Sequence, residues 1–161
     1  MNGIGGFHKP NSTNVEWFTP KWITDELGPF NLDPCSSTKR PWDTAKEHYT
    51  EQGLEKEWFG NVWLNPPYNK STKAWLKKLA EHGTGVALVF ARTETQIYFP
   101  WVWEYATGIL FLKNRLHFHY WNGVIAKGNC GGPHCLIAYG FACNSRLKRS
   151  TINGKYINLK P

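Results

Sequence analysis

Val86-Ala87-Leu88-Val89-Phe90 is continuously apolar. A segment apolar on both faces fits a strand buried between two layers, as in a parallel sheet. Just before it, Trp75, Leu76, Leu79 and Ala80 share one face of residues 71–82, and Lys73, Lys77 and Lys78 mostly occupy the other. That spacing predicts an amphipathic helix over Ser71–His82, closed by Gly83. Phe30–Asp33 and Asn61–Leu64 predict two shorter strands, each stopped by proline, which cannot continue a ladder. Between Phe18 and Leu27 a short helix is expected, with Thr19 as its cap and Pro20 in its first turn. Residues 35–60 read as loops with at most one short helix near Asp43–His48.

Beyond residue 90 the pattern changes. A helix rich in Trp and Tyr is expected over about Thr95–Tyr105, with Pro100 near its start or kinking it. Ile109–Leu112, Leu116–Tyr120 and Cys135–Tyr139 are three further strand candidates, and Asn122–Pro133, with four glycines, reads as a loop. Strand–helix alternation first and a hairpin-like run later describe an α/β fold: a mixed, mostly parallel sheet with an antiparallel end.

At 161 residues the chain fits one domain. Residues 1–14 read as a flexible arm, 15–145 as the folded domain and 146–161 as a basic tail. No apolar run approaches the roughly 20 residues of a membrane helix, and Met1–Pro10 lacks the apolar core of a signal peptide. A soluble cytoplasmic protein is expected. The four cysteines are too irregular for a disulfide framework. Cys130, His134, Cys135 and Cys143 match no paired zinc-ligand spacing, so buried thiols and no metal are expected.

The net charge of +7 is unevenly placed. Residues 1–104 hold 11 Lys and Arg against 12 Asp and Glu; residues 105–161 hold 8 against none. A block of cations without acids favours a polyanion.

The segment that carries chemistry is Asn65-Pro66-Pro67-Tyr68. Two prolines hold the backbone extended and put it at the carboxyl end of a strand, where open α/β sheets bind ligands. The Asn65 side-chain carbonyl and the Pro66 main-chain carbonyl can converge as two acceptors, beside the flat face of Tyr68. Such a pair suits an NH2 group on a planar ring. It favours the tetrahedral, more nucleophilic nitrogen and stabilises positive charge developing there. Taken alone, the pair suits an adenine, a cytosine, an RNA base or a glutamine amide equally.

These residues resemble the catalytic motif of amino-methyltransferases, and the surrounding chain is similar to the small phage DNA N-6-adenine-methyltransferase family over about residues 16–140. The resemblance rests on Glu16-Trp17-Phe18-Thr19-Pro20, Leu32-Asp33-Pro34-Cys35, Trp58 to Tyr68, Arg92-Thr93-Glu94-Thr95 and Asn114-Arg115-Leu116-His117-Phe118. It implies a compact Rossmann-like fold dependent on S-adenosylmethionine, with adenine in double-stranded DNA as the acceptor. It implies catalytic roles for Asn65, Pro66, Pro67 and Tyr68. Cofactor contacts are implied for Trp17, Phe18, Thr19, Asp33, Pro34, Cys35, Gln52 and Asn65. Arg92, Arg115, Lys148 and Arg149 are the expected DNA contacts, and His117 and His119 face either substrate or solvent. Two positions depart from the pattern. Ser36-Ser37-Thr38 stands where a Gly-x-Gly loop usually follows the first strand, and Gln52 precedes Gly53-Leu54 where relatives carry an acid.

Overall fold

The computed structural model describes residues 16–160; the expected arm at 1–14 lies outside them. Seven strands form one sheet: β1 (Leu32–Asp33), β2 (Glu47–His48), β3 (Val62–Leu64), β4 (Gly85–Phe90), β5 (Gly108–Leu112), β6 (His134–Tyr139) and β7 (Gly154–Asn158). Their order across the sheet is β2-β1-β3-β4-β6-β5-β7. The first three pairings are parallel and the last three antiparallel.

The fold is thus α/β with a mixed sheet, but not the mostly parallel one expected. The antiparallel ladders hold more paired residues than the parallel ones. The reason lies in β6, which inserts between β4 and β5 and runs against both. Apolar runs such as Val86–Phe90 and Cys135–Tyr139 announce burial, not direction.

Helices α1 (Lys21–Leu27), α2 (Thr72–His82) and α3 (Phe141–Arg149) cover the sheet. Strand side chains alternate between its two faces. Val62, Leu64, Ala87, Val89 and Ile137 share a core with Leu76 and Leu79 of α2 and with Tyr98 and Val102. Trp63, Val86, Leu88, Leu136 and Ala138 share the other with Ile23 and Leu27 of α1 and Leu147 of α3. Each fully buried Leu or Ile contributes roughly 2 kcal/mol, which lets strands of two or three residues persist inside the sheet.

Several local expectations change. Residues 43–48 hold β2 rather than a helix, because the amides of Lys46, Glu47 and Tyr49 donate to carbonyls along Phe30–Asp33. The expected helix at 95–105 narrows to a π-helical turn over Phe99–Trp103 that contains Pro100. Leu116–Tyr120 is not a strand of the sheet, since both edges of β5 are taken by β6 and β7; it forms isolated bridges at His119 and scattered backbone bonds to residues 124–130. Residues 146–160 are no tail: they complete α3 and form β7, which pairs along the whole of β5.

Candidate active site

Parallel pairing points the carboxyl ends of β1, β2, β3 and β4 to the same edge of the sheet. There a cavity of about 440 Å³ opens, within the roughly 300–1,000 Å³ of small-molecule sites. Asp33 ends β1, Tyr49 follows β2, and Asn65 to Tyr68 follow β3; all line it. Trp17, Phe18, Thr19, Pro34, Cys35 and Gln52 line it as well. All eight residues expected at the cofactor and all four expected to be catalytic therefore line the same cavity.

Asn65 is fixed from two sides. Its Nδ2 donates to Thr19 Oγ1 at 3.2 Å, and its Oδ1 accepts from the Tyr68 hydroxyl at 2.9 Å. These bonds set which end of the amide faces which way, leaving Oδ1 one further lone pair. The Thr19 hydroxyl is therefore spent on Asn65, and α1 begins after Pro20 with no side-chain cap. Pro66 is buried, and among the described residues none donates to its carbonyl. The Pro67 carbonyl, by contrast, accepts from the Thr72 hydroxyl at the start of α2. This bond ties the two-proline turn to the helix behind it.

Tyr68 is 37% exposed, yet its hydroxyl also reaches the Leu88 carbonyl at 3.2 Å. One ring face is open while the phenol is sunk at the sheet edge, and burial raises its pKa well above the ordinary value. The phenol stays protonated and acts as a donor. Behind the ring lie Phe90 at 4.6 Å and His134 at 5.4 Å. His134 is 1% exposed, and burial pushes its pKa down to about 4, so it is neutral under ordinary conditions.

Asp33 is 6% exposed. Its carboxylate accepts from the Cys35 amide at 3.1 Å and from the Thr44 hydroxyl. Burial raises its pKa to about 6, opposed by those two bonds and by the Arg40 charge. Cys35 beside it is pushed up to about 12 by burial and by the Asp33 charge, so its thiol is inert. The adjoining loop approaches closely: a Cβ on Gly53 would stand 1.8 Å from the Pro34 carbonyl oxygen. Gln52 just before it has a φ of 55°, a conformation that non-glycine residues rarely adopt.

The cavity contains groups that sequence reasoning missed. Arg40, Thr44, Glu51 and Trp75 line it, and Glu16 accepts from the Ser37 hydroxyl at 2.6 Å. Nothing in their local spacing marks Thr44 or Arg40; Glu16 lay in a resembling block without a role. The four expected DNA contacts stand apart from the cavity and are exposed. The Arg92 guanidinium lies 5.5 Å from the Phe90 ring that backs Tyr68. His117 is exposed and His119 half-buried. Among the described residues no cluster of His, Cys, Asp and Glu is arranged to hold a metal, and the four cysteines are free thiols.

A family model described as DNA N-6-adenine-methyltransferase (Dam) matches residues 6–146. No curated protein and no solved structure matches the chain.

Proposed function

The chain belongs to the DNA N-6-adenine-methyltransferase family, and we propose that it moves a methyl group from S-adenosylmethionine to the N6 amine of an adenine flipped out of duplex DNA. The observation that carries this reading is the fixed Asn65 amide at the wall of a cavity that also holds every residue expected to touch the cofactor. The sheet supports a Rossmann-like reading, with the cavity at the carboxyl ends of its parallel half.

The residues present suit a cationic ligand with a flat ring. Among the described residues, Asp33, Glu16 and Glu51 bring three carboxyls to the cavity against one cation, Arg40, and Trp17, Tyr49 and Trp75 bring aromatic rings. Carboxylates and aromatic faces both attract a sulfonium or an ammonium. Asp33, Pro34 and Cys35 would hold the methionine end; Trp17, Phe18, Thr19 and Gln52 would border the rest. S-adenosylmethionine supplies a methyl group already activated on sulfur.

Asn65 Oδ1 and the Pro66 carbonyl would accept the two amine hydrogens. Holding them draws the nitrogen lone pair out of conjugation with the ring and aims it at the donor. Positive charge on the methylated nitrogen is met by the same two oxygens, and the surplus proton leaves to water. With Tyr68 protonated, none of Asn65, Pro66, Pro67 and Tyr68 is a strong base, so alignment is their main contribution. The open face of Tyr68 would stack on the adenine, and Pro67 would keep the turn rigid. Arg92, Arg115, Lys148 and Arg149 would contact phosphates and set orientation rather than sequence. Among the described residues no helix is long and apolar enough to cross a membrane.

Incubation with tritiated S-adenosylmethionine and unmethylated DNA, followed by nucleoside analysis, tests the reading. Label should appear in N6-methyladenine, and Asn65→Ala should lower transfer roughly a hundredfold or more while the fold and much of the DNA binding persist. Near-normal turnover by Asn65→Ala, or label on any other base, would overturn it.

A further inference from the structure

A narrow hairpin stands at the rim of the cavity. Ala126 donates to the Phe118 carbonyl at 2.8 Å, Tyr120 to Val124 at 2.8 Å and Gly123 to Tyr120 at 2.9 Å. Gly123 turns the chain with a φ of 81°, a conformation open to glycine. The stem is pinned to residues that line the cavity. Phe18 and His119 exchange both backbone hydrogen bonds, at 3.0 and 2.9 Å. Tyr120 lies 5.7 Å from the Trp17 ring, and His119 lies 5.0 Å from the Trp42 ring.

The tip is unusual in what it leaves uncovered. Trp121 is 64% exposed, Val124 56% and Ile125 58%. Side chains of this kind normally go inside, and here three of them stand within five residues. Lys113, Arg115, His117 and Lys127 flank them, all exposed, and no acidic residue follows Glu104. An apolar point between cations matches a polyanion with a stacked, apolar interior. It is far too small for a stable protein interface, which buries roughly 1,200 Å² or more.

From this arrangement, and resting on the proposed adenine methylation, we infer that the hairpin of residues 118–126 is a wedge that enters duplex DNA. Trp121 stacks into the space vacated by the target adenine while Arg115 and Lys127 hold the phosphates on either side. Apolar side chains unstack base steps in this way where a protein must open a duplex. Its attachment to Phe18 and Trp17 puts the opened step beside the Asn65 wall, where the displaced base must arrive.

The test compares methyl transfer to a duplex with transfer to the same duplex bearing an abasic site opposite the methylated adenine. Trp121→Ala removes an exposed side chain and leaves the core intact. On the paired duplex kcat/KM should fall roughly tenfold, the order of a lost base–aromatic stack. On the duplex with the adenine already unpaired, the variant should come within about twofold of the parent. Trp121→Phe should recover most of the loss on the paired duplex. An equal loss on both substrates, or no loss on either, would overturn the wedge. Equilibrium binding to the paired duplex separates this from failure of the proposed activity. A parent protein that binds duplex DNA through Trp121 but transfers no methyl group would keep the wedge and sink the methylation.

Discussion

Replacing Asp33 with asparagine should leave the ligand-free protein more stable and its cofactor site disabled. The carboxyl is 6% exposed, and burial raises its pKa from 3.8 to about 6 against the Thr44 and Cys35 hydrogen bonds and the Arg40 charge. A carboxyl shifted upward binds its proton more tightly in the folded chain than in the unfolded one. Its contribution to stability is therefore fully present below the unfolded value and is lost as pH rises through the folded one, a window from about 4 to about 6. A shift of two units corresponds to roughly 3 kcal/mol held against the fold when Asp33 is ionised. Asparagine keeps the Oδ1 acceptor for the Cys35 amide but turns an NH2 towards Thr44, which forfeits about 1 kcal/mol. The net gain should be about 2 kcal/mol near pH 8 and should turn into a loss of about 0.5 kcal/mol near pH 4. Urea unfolding of both ligand-free proteins across that range measures it, and their difference cancels every other titration. Calorimetry with S-adenosylhomocysteine should meanwhile show affinity lost in Asp33→Asn. A variant less stable than the parent near pH 8, or a gap independent of pH, would refute the reasoning.

Tyr68→Phe keeps the ring and removes the hydroxyl that holds Asn65; kcat should fall about five- to tenfold with little change in KM for DNA. Thr19→Val removes the partner of the Asn65 NH2 and should lower kcat by a similar factor; unchanged single-turnover rates in both would show that the amide needs no bracing. Gly53→Ala drives a methyl into the Pro34 carbonyl and should cost about 3 kcal/mol or more in denaturant unfolding. Replacing Lys148 and Arg149 together with glutamine should flatten the slope of log affinity against log salt by about 1 to 2; an unchanged slope would place the end of α3 away from DNA.

The sequence disclosed what is local. Asn65-Pro66-Pro67-Tyr68 announces itself because two prolines end a strand, and the position of that end is half of the candidate site. Asp33 was legible for the same reason, with Pro34 behind it. What stayed hidden depends on partners far along the chain. Thr19 looked like a helix cap, and only the fold sets it against Asn65, 46 residues away. Thr44 carries no signal until β2 lies beside β1 and brings its hydroxyl to Asp33. Glu47 and His48 are too few and too polar to read as a strand. The basic stretch at 146–160 looks like a solvated tail because charge dominates its pattern, while Leu147 and Ile152, which anchor it in the core, are separated by four polar residues.

Phe18 has a consequence for how the two ligands find the enzyme. Its backbone is bonded to the hairpin, its side chain borders the cavity, and the next residue holds the Asn65 amide. Whatever steadies that short stretch from one side steadies it for the other. Occupancy of the cavity should raise affinity for DNA, and by thermodynamic linkage DNA should raise affinity for the cofactor by the same factor. On the proposed assignments no separate messenger between the two substrates is needed, because one extended peptide segment would serve both.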